Sequence, residues 1–340
     1  MIANGQIDPD ITASQQPLVE IYNPATNKLV TASPARHPMF SYKLYPALFL
    51  LPWTPTPGDY LLYAFNGCAD AVIMTINKSN VLSLYRTPAT AFFAMGQKYC
   101  SQTSSGGTAT LLMLRASNGY AAEVVQFGGN KFTNGETCFC NNEAAPFSIR
   151  MKLDRTTVTS GNARWVSERM PSGRTGVDCV VLPNGRVLLV NGAAFGQMQG
   201  SPEGGGQSRN AVTNAWLYDP NAPVNGRYTI LAKSTIYRYY HSTALLLPDA
   251  SVLVAGSEQT NCNSGCPFLA PSLVQYQAEK YLPYYYFNAG RPELNAGDNP
   301  KTAKMGTTIT IKFRGNANNV VLATPAAVTH SLKYDTFPAK

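Results

Sequence analysis

The chain holds three histidines, His37, His241 and His330. Imidazole is the commonest side-chain metal ligand, so the neighbours of each one matter. His37 lies in Ala35-Arg36-His37-Pro38 with no other ligand type close by, and reads as a surface residue. His241 follows Tyr240 directly, in Tyr237-Arg238-Tyr239-Tyr240-His241-Ser242-Thr243. An imidazole nitrogen beside a phenolate oxygen suits copper(II) or iron(III). The same pair equally suits an aromatic cluster packed on a rim. His330, in Ala327-Val328-Thr329-His330-Ser331, is far along the chain, and spacing alone does not place it beside His241.

The other reactive residues are seven cysteines: Cys68, Cys100, Cys138, Cys140, Cys179, Cys262 and Cys266. The Cys-x-Cys and Cys-x3-Cys pairs lack a partner knuckle at zinc-finger spacing. In a Thr-, Ser- and Asn-rich β protein they are expected to form disulfides. The odd count leaves at least one thiol free, or its partner missing from the chain.

These side chains need a scaffold, and one pattern recurs along the chain. A short apolar strand meets a turn, and a second apolar strand follows and ends near glycine. The copies are Tyr45–Gly67, Gly107–Gly129, Arg174–Gly192 and Tyr240–Gly256. Aligned at Pro52, Arg115, Pro183 and Pro248, they are spaced by 63, 68 and 65 residues. Asn118-Gly119 and Asn184-Gly185 predict two-residue hairpin turns, whose central residues both take positive φ. The flanking runs are too apolar for half-solvated strands and fit inner strands buried on both faces, as in a propeller blade. Val19–Asn27 and Ala215–Asn221 read as outer strands ending in a Pro-containing turn. Repeats of this kind resemble kelch blades, which are nearer roughly 50 residues long. The excess length falls between hairpins, in stretches such as Phe195–Asn210 that read as flexible loops. Loops entering inner strands line a propeller's axis, so Tyr240 and His241 are placed to reach one ligand there.

Composition agrees with an all-β chain. Of 340 residues 44% are hydrophobic, enough for a sizeable core, and only 14% are charged, against roughly 25% in ordinary soluble domains. Gly 27 and Pro 24 imply many turns, and Tyr 19 and Phe 14 favour strands. The net charge is +8, but the Lys and Arg residues are scattered, so nucleic acid is not expected as a partner. No apolar run approaches a membrane span. After Ala270 the chain becomes aromatic and Pro-punctuated, then offers Thr307–Phe313 and Asn319–Ala323 as strands. The expected organisation is therefore an incomplete kelch-type β-propeller of about four blades over residues 1–272. Part of an Ig-like β-sandwich follows over 273–340, shorter than the roughly 100 residues of a whole one.

Tyr239–Ser257 (YYHSTALLLPDASVLVAGS) closely resembles the copper-ligand blade of the glyoxal oxidases and their relatives, including galactose oxidase. Met170–Gly192 resembles the family's Met-Pro-x-x-Arg stretch and Leu-Pro-x-Gly hairpin. Tyr281–Pro292 resembles its Pro-Pro-Tyr-Leu-Phe and Arg-Pro pattern, and Asn261–Cys266 its short disulfide loop. The resemblance runs from about Val19 to His330. It implies that Tyr240 is the axial copper ligand and general base, and that His241 is an equatorial ligand. The family's Thr-His loop, matched by Thr329-His330-Ser331, implies that His330 is the second equatorial histidine. It further implies oxidation of aldehydes of the glyoxal type, or of primary alcohols, with O2 reduced to hydrogen peroxide.

The family's remaining ligand is a tyrosine cross-linked by a thioether to a cysteine, which forms the radical half of the cofactor. No matching Tyr or Cys motif occurs here, and past His330 the sequence departs from the family pattern. Met1–Asp10 lacks the basic and apolar regions of a signal peptide. The expectation is a fragment, truncated at both ends, of a secreted copper-radical oxidase, inactive alone. The alternative is a non-catalytic secreted propeller that binds cell-wall polysaccharide or a protein. An intracellular kelch adaptor is a third reading, with which disulfides would conflict.

Overall fold

A computed structural model describes residues 2–6, 15–23, 26–36, 46–65, 71–88, 99–100, 106–131, 141–198, 207–258, 274–295, 297–304, 306–323, 327–329 and 332–334. It is nearly all antiparallel sheet. The first blade is Ala47–Leu50, Tyr60–Phe65, Ala71–Ile76 and Leu82–Arg86. The second is Thr108–Leu111, Glu123–Phe127, Phe147–Lys152 and Trp165–Arg169. The third is Asp178–Val181, Val187–Val190, Asn214–Tyr218 and Tyr228–Lys233. The fourth is Tyr240–Leu246, Val252–Glu258 and Glu279–Tyr281. A three-stranded sheet, Ile2–Gln6, Gln15–Asn23 and Lys28–Arg36, precedes them. Among the described residues no helix is long and apolar enough to cross a membrane.

The continuous apolar runs find their reason in the stacking. Side chains alternate along a strand, so Val187 and Leu189 enter a core shared with the second blade. Leu188 and Val190 enter one shared with the fourth. In the first blade Leu61, Tyr63 and Phe65 pack against the second, while Leu62 and Ala64 face Val19 and Ala32 of the preceding sheet. The first three blades are thus each buried on both faces, as their sequence predicts.

Within each blade the first strand is the sheet edge. Asp178–Val181 lies within 8 Å, Cα to Cα, of both Thr108–Leu111 and Tyr240–Leu246. Into these edges comes a short hairpin, Ala327–Thr329 paired with Leu332–Tyr334. Its first strand approaches Tyr240–Leu246 and its second approaches both Thr108–Leu111 and Ala47–Leu50. Exposed strand edges invite pairing with other chains, and here the edges of three blades converge on one inserted segment.

The turns differ from the sequence expectation. In the third blade Leu182 N donates to Arg186 O and Gly185 N to Leu182 O, both at 2.8 Å. The loop is therefore the three residues Pro183-Asn184-Gly185, with only Gly185 at positive φ (83°), because proline's fixed φ starts a right-handed turn. The fourth blade repeats it, with Leu247 N to Ser251 O, Ala250 N to Leu247 O, and Ala250 at φ 64°. Asn118 ends a 3-10 turn, Ala116–Asn118, and the positive-φ pair is Gly119-Tyr120. Phe195–Asn210 is not wholly loop, since Ala193–Gln197 pairs with Gln207–Ala211.

Past the fourth blade, three tyrosines of the 3-10 helix Tyr284–Phe287 clamp the hairpin turns. Tyr285 and Tyr286 hydroxyls donate to Ala250 O and Asp249 O, and Tyr284 Oη accepts from Asn184 Nδ2. The expected strand Thr307–Phe313 is reduced to Phe313–Arg314, paired with Glu293–Leu294, and Asn319–Ala323 carries no strand. The propensity is there, but no described segment offers those residues a ladder, and Val320 and Leu322 are exposed. The expected boundary at residues 272/273 lies outside the described residues, as do His37 and all cysteines except Cys100 and Cys179. The Cys179 sulfur is buried, 3.3 Å from the Thr108 hydroxyl.

Candidate functional site

Tyr240 and His241 open the edge strand of the fourth blade. In a regular strand, neighbours point to opposite faces of the sheet and cannot share a ligand. Here the backbone of His241 is left-handed, at φ 57°. The imidazole accordingly folds back over Tyr240, with ring centroids 3.7 Å apart and planes 26° from parallel. One residue's conformation converts an alternating pair into a stacked one.

The other blades show what that position ordinarily holds. The ladders pair Thr108 with Phe127, Asp178 with Val190 and Ser242 with Gly256. Continued toward the strand starts, the register sets Gly106 opposite Gly129, Gly176 opposite Gly192 and His241 opposite Ser257. The three leading residues have φ of 62°, 66° and 57°, and the three facing them 110°, 96° and 127°. The blades therefore share one left-handed entry to the inner strand. Two blades satisfy it with glycine, which meets no steric cost there. The fourth uses histidine, at a cost of about 1–2 kcal/mol for a residue with a Cβ. Turns hold such residues too, as at Tyr120 and Ala250, but strain retained within a strand is also a feature of functional positions.

The strained turn is fixed from several sides. Gly256 leaves room for it, since a Cβ there would lie 2.6 Å from His241 O. Tyr239 N donates to Ser257 Oγ at 2.7 Å. Arg238, fully buried, donates from Nη1 to Gly256 O and from Nη2 to Gln277 O, both at 2.8 Å, and forms an ion pair with Glu279. Ser242, the residue after His241, donates to Asp178 Oδ2 at 2.8 Å, and Asn191 Nδ2 donates to the same oxygen at 2.7 Å. Burial pushes the Asp178 carboxyl up to about 7, against the pull of those two hydrogen bonds and of Arg174. Burial also lowers Arg174, to about 9. Its guanidinium donates to the carbonyls of Asn191, Val212 and Asn214 and lies 4.3 Å from the Trp216 ring centroid, so it stays charged at neutral pH.

Outward, the His241 imidazole is partly exposed, with Nδ1 3.0 Å from Glu258 Oε1. Of the sequence-predicted ligands, Tyr240 and His241 are thus brought together, while His330 lies outside the described residues. The backbone on either side of it, Ala327–Thr329 and Leu332–Tyr334, runs along the inner strands. Among the described residues no three of His, Cys, Asp and Glu cluster as a metal site. A phenol oxygen with an imidazole nitrogen is a donor pair that copper(II) accepts, so the residues present fit that ion, with further donors from elsewhere. Sequence reasoning missed Arg174, Arg238, Asp178 and Glu258. The arginine that recurs ahead of the inner strands of the third and fourth blades was a visible signal for the first two. Nothing in the sequence marked the acids, which act across strands or between blades.

A profile for the glyoxal oxidase N-terminus matches residues 27–285. Aldehyde oxidase GLOX1 of Arabidopsis thaliana is 35% identical over 188 residues, 52% of this chain and 29% of the relative. Aldehyde oxidase GLOX of Vitis pseudoreticulata is 38% identical over 133 residues, 39% of this chain and 24% of the relative. The chain thus spans less than a third of either relative. A fungal alcohol oxidase of the AA5 family, solved in complex with copper, superposes with a TM-score of 0.57 at 18% identity, over 93% of this chain and 59% of that one. That likeness is one of fold.

Proposed function

This chain belongs to the glyoxal oxidase family, and from that premise we propose that it carries part of a copper site for oxidising aldehydes of the glyoxal type or primary alcohols. In this reading Tyr240 and His241 are ligands from the fourth blade, and His330 is a third, brought by the inserted hairpin. Copper held by these residues would supply Lewis acidity toward the substrate hydroxyl and a place for one of the two electrons removed; the place for the second, the family's cross-linked tyrosine, has no matching motif in this sequence. The chain's own groups supply the base and its positioning. The Tyr240 phenolate takes the hydroxyl proton as general base. His241 holds its imidazole over that ring, and Arg238 and Asp178 keep the turn from relaxing. O2 is the proposed final acceptor and hydrogen peroxide the product. The same reading places the protein outside the cell, where the cysteines form disulfides.

One observation carries the proposal. A histidine occupies a left-handed position that two sister blades fill with glycine, and this sets its ring on Tyr240. The test is copper(II) titration of the metal-free chain, followed by calorimetry and electron paramagnetic resonance. One equivalent is expected to bind and to be lost in His241→Ala and Tyr240→Phe. Binding that survives both substitutions would defeat the assignment. No binding by the unaltered chain would leave it a binding module of this fold.

A further inference from the structure

The turn that brings His241 onto Tyr240 has a second consequence. Tyr240 is paired across the ladder with Glu258, whereas the residue facing His241 is Ser257. An imidazole in regular strand geometry would point away from Glu258. Folded back over Tyr240, it meets Tyr240's partner, and Nδ1 comes 3.0 Å from the carboxylate. From this geometry we infer that Glu258 is a positioning residue that fixes the His241 imidazole as its Nδ1–H tautomer, leaving Nε2 as the nitrogen that binds metal.

A neutral imidazole has one N–H and one lone pair, and an ionised carboxylate can only accept. Facing Glu258, Nδ1 must therefore carry the hydrogen. The ring's freedom is limited on its other side by the Tyr240 stack at 3.7 Å. One contact fixes the tautomer and the other the plane. The side chains of His241 and Glu258 are 42% and 38% exposed. A contact so open to water adds little to stability, so its effect is expected in orientation. Ligand histidines commonly give their second N–H to a carboxylate, and losing that partner lowers metal affinity by about 10–100-fold.

This inference rests on the copper reading, and the experiment separates the two. In the metal-free chain, 15N NMR at a pH where the ring is neutral should show His241 as the Nδ1–H tautomer, its signal assigned by loss in His241→Gly. Glu258→Ala should shift the ring mainly to the Nε2–H form. Glu258→Gln, which keeps an acceptor oxygen, should shift it less. Copper affinity should fall by about 10-fold or more in Glu258→Ala and by less in Glu258→Gln. An unchanged tautomer in Glu258→Ala overturns the positioning role. So does copper affinity that is unchanged in Glu258→Ala but lost in His241→Ala. If the unaltered chain binds no copper, the functional reading falls, and the NMR result still decides whether Glu258 sets the tautomer.

Discussion

Replacing His241 with glycine should remove copper binding and leave the fold as stable as before. At φ 57° a residue with a Cβ is strained by about 1–2 kcal/mol, which glycine avoids. Against this relief stand two losses. The ring stack on Tyr240 contributes about 0.5–1.5 kcal/mol. The exposed contact with Glu258 adds a few tenths after screening, at the low end of roughly 0.2–1 kcal/mol for such pairs. The sum lies within about 1 kcal/mol of zero, whereas glycine in a regular strand interior would destabilise by roughly 0.5–1 kcal/mol and gain nothing back. The assay is denaturant unfolding of the metal-free chain with a chelator present, followed by tryptophan fluorescence. Gly106→Ala is the companion variant at the matching position of the second blade. There a Cβ would lie 2.4 Å from Gly176 N, backbone that cannot swing aside, so a loss above about 2 kcal/mol is expected. If His241→Gly instead loses more than about 2 kcal/mol, histidine is there for packing, and the argument from strain to function fails.

Asp178→Asn tests the buried carboxyl. Its folded pKa near 7 lies above the value of about 3.8 for the unfolded chain, so its stabilisation is full below pH 4 and is lost as pH rises to about 7. The native chain should lose up to about 1.4 kcal/mol per pH unit across that window, and unfolding of the Asn variant across the same range should lack this slope. Tyr63→Phe removes a fully buried hydroxyl that has no hydrogen-bond partner among the described residues. Its unfolding midpoint should be equal to or above the parent's, by up to about 1 kcal/mol, and a clear loss of stability would show that the hydroxyl is satisfied.

The sequence by itself determined the class of fold and singled out two candidate site residues. Runs such as Val187–Val190 are too apolar to have a solvent face, so their burial between two sheets follows from composition alone. Tyr240 and His241 stood out because histidine is scarce and imidazole with phenol has a definite coordination chemistry. The turns were read less well, since Asn-Gly alone does not reveal how the preceding proline in Leu182-Pro183 changes the loop. The sequence of Thr307–Phe313 and Asn319–Ala323 favours strands that the structure largely lacks, because local propensity says nothing about the availability of a partner.

Only the tertiary structure decided how Tyr240 and His241 could act together. Alternation along a strand predicts that they point apart, and no local pattern announces a left-handed histidine. That conformation comes from the shared entry geometry of the blades and from the close approach of Gly256 to His241 O. The roles of Glu258, Asp178 and Arg238 likewise depend on which strand lies opposite which. Register and blade stacking are long-range properties, fixed by the packing of whole sheets, so no spacing along the chain could have disclosed them.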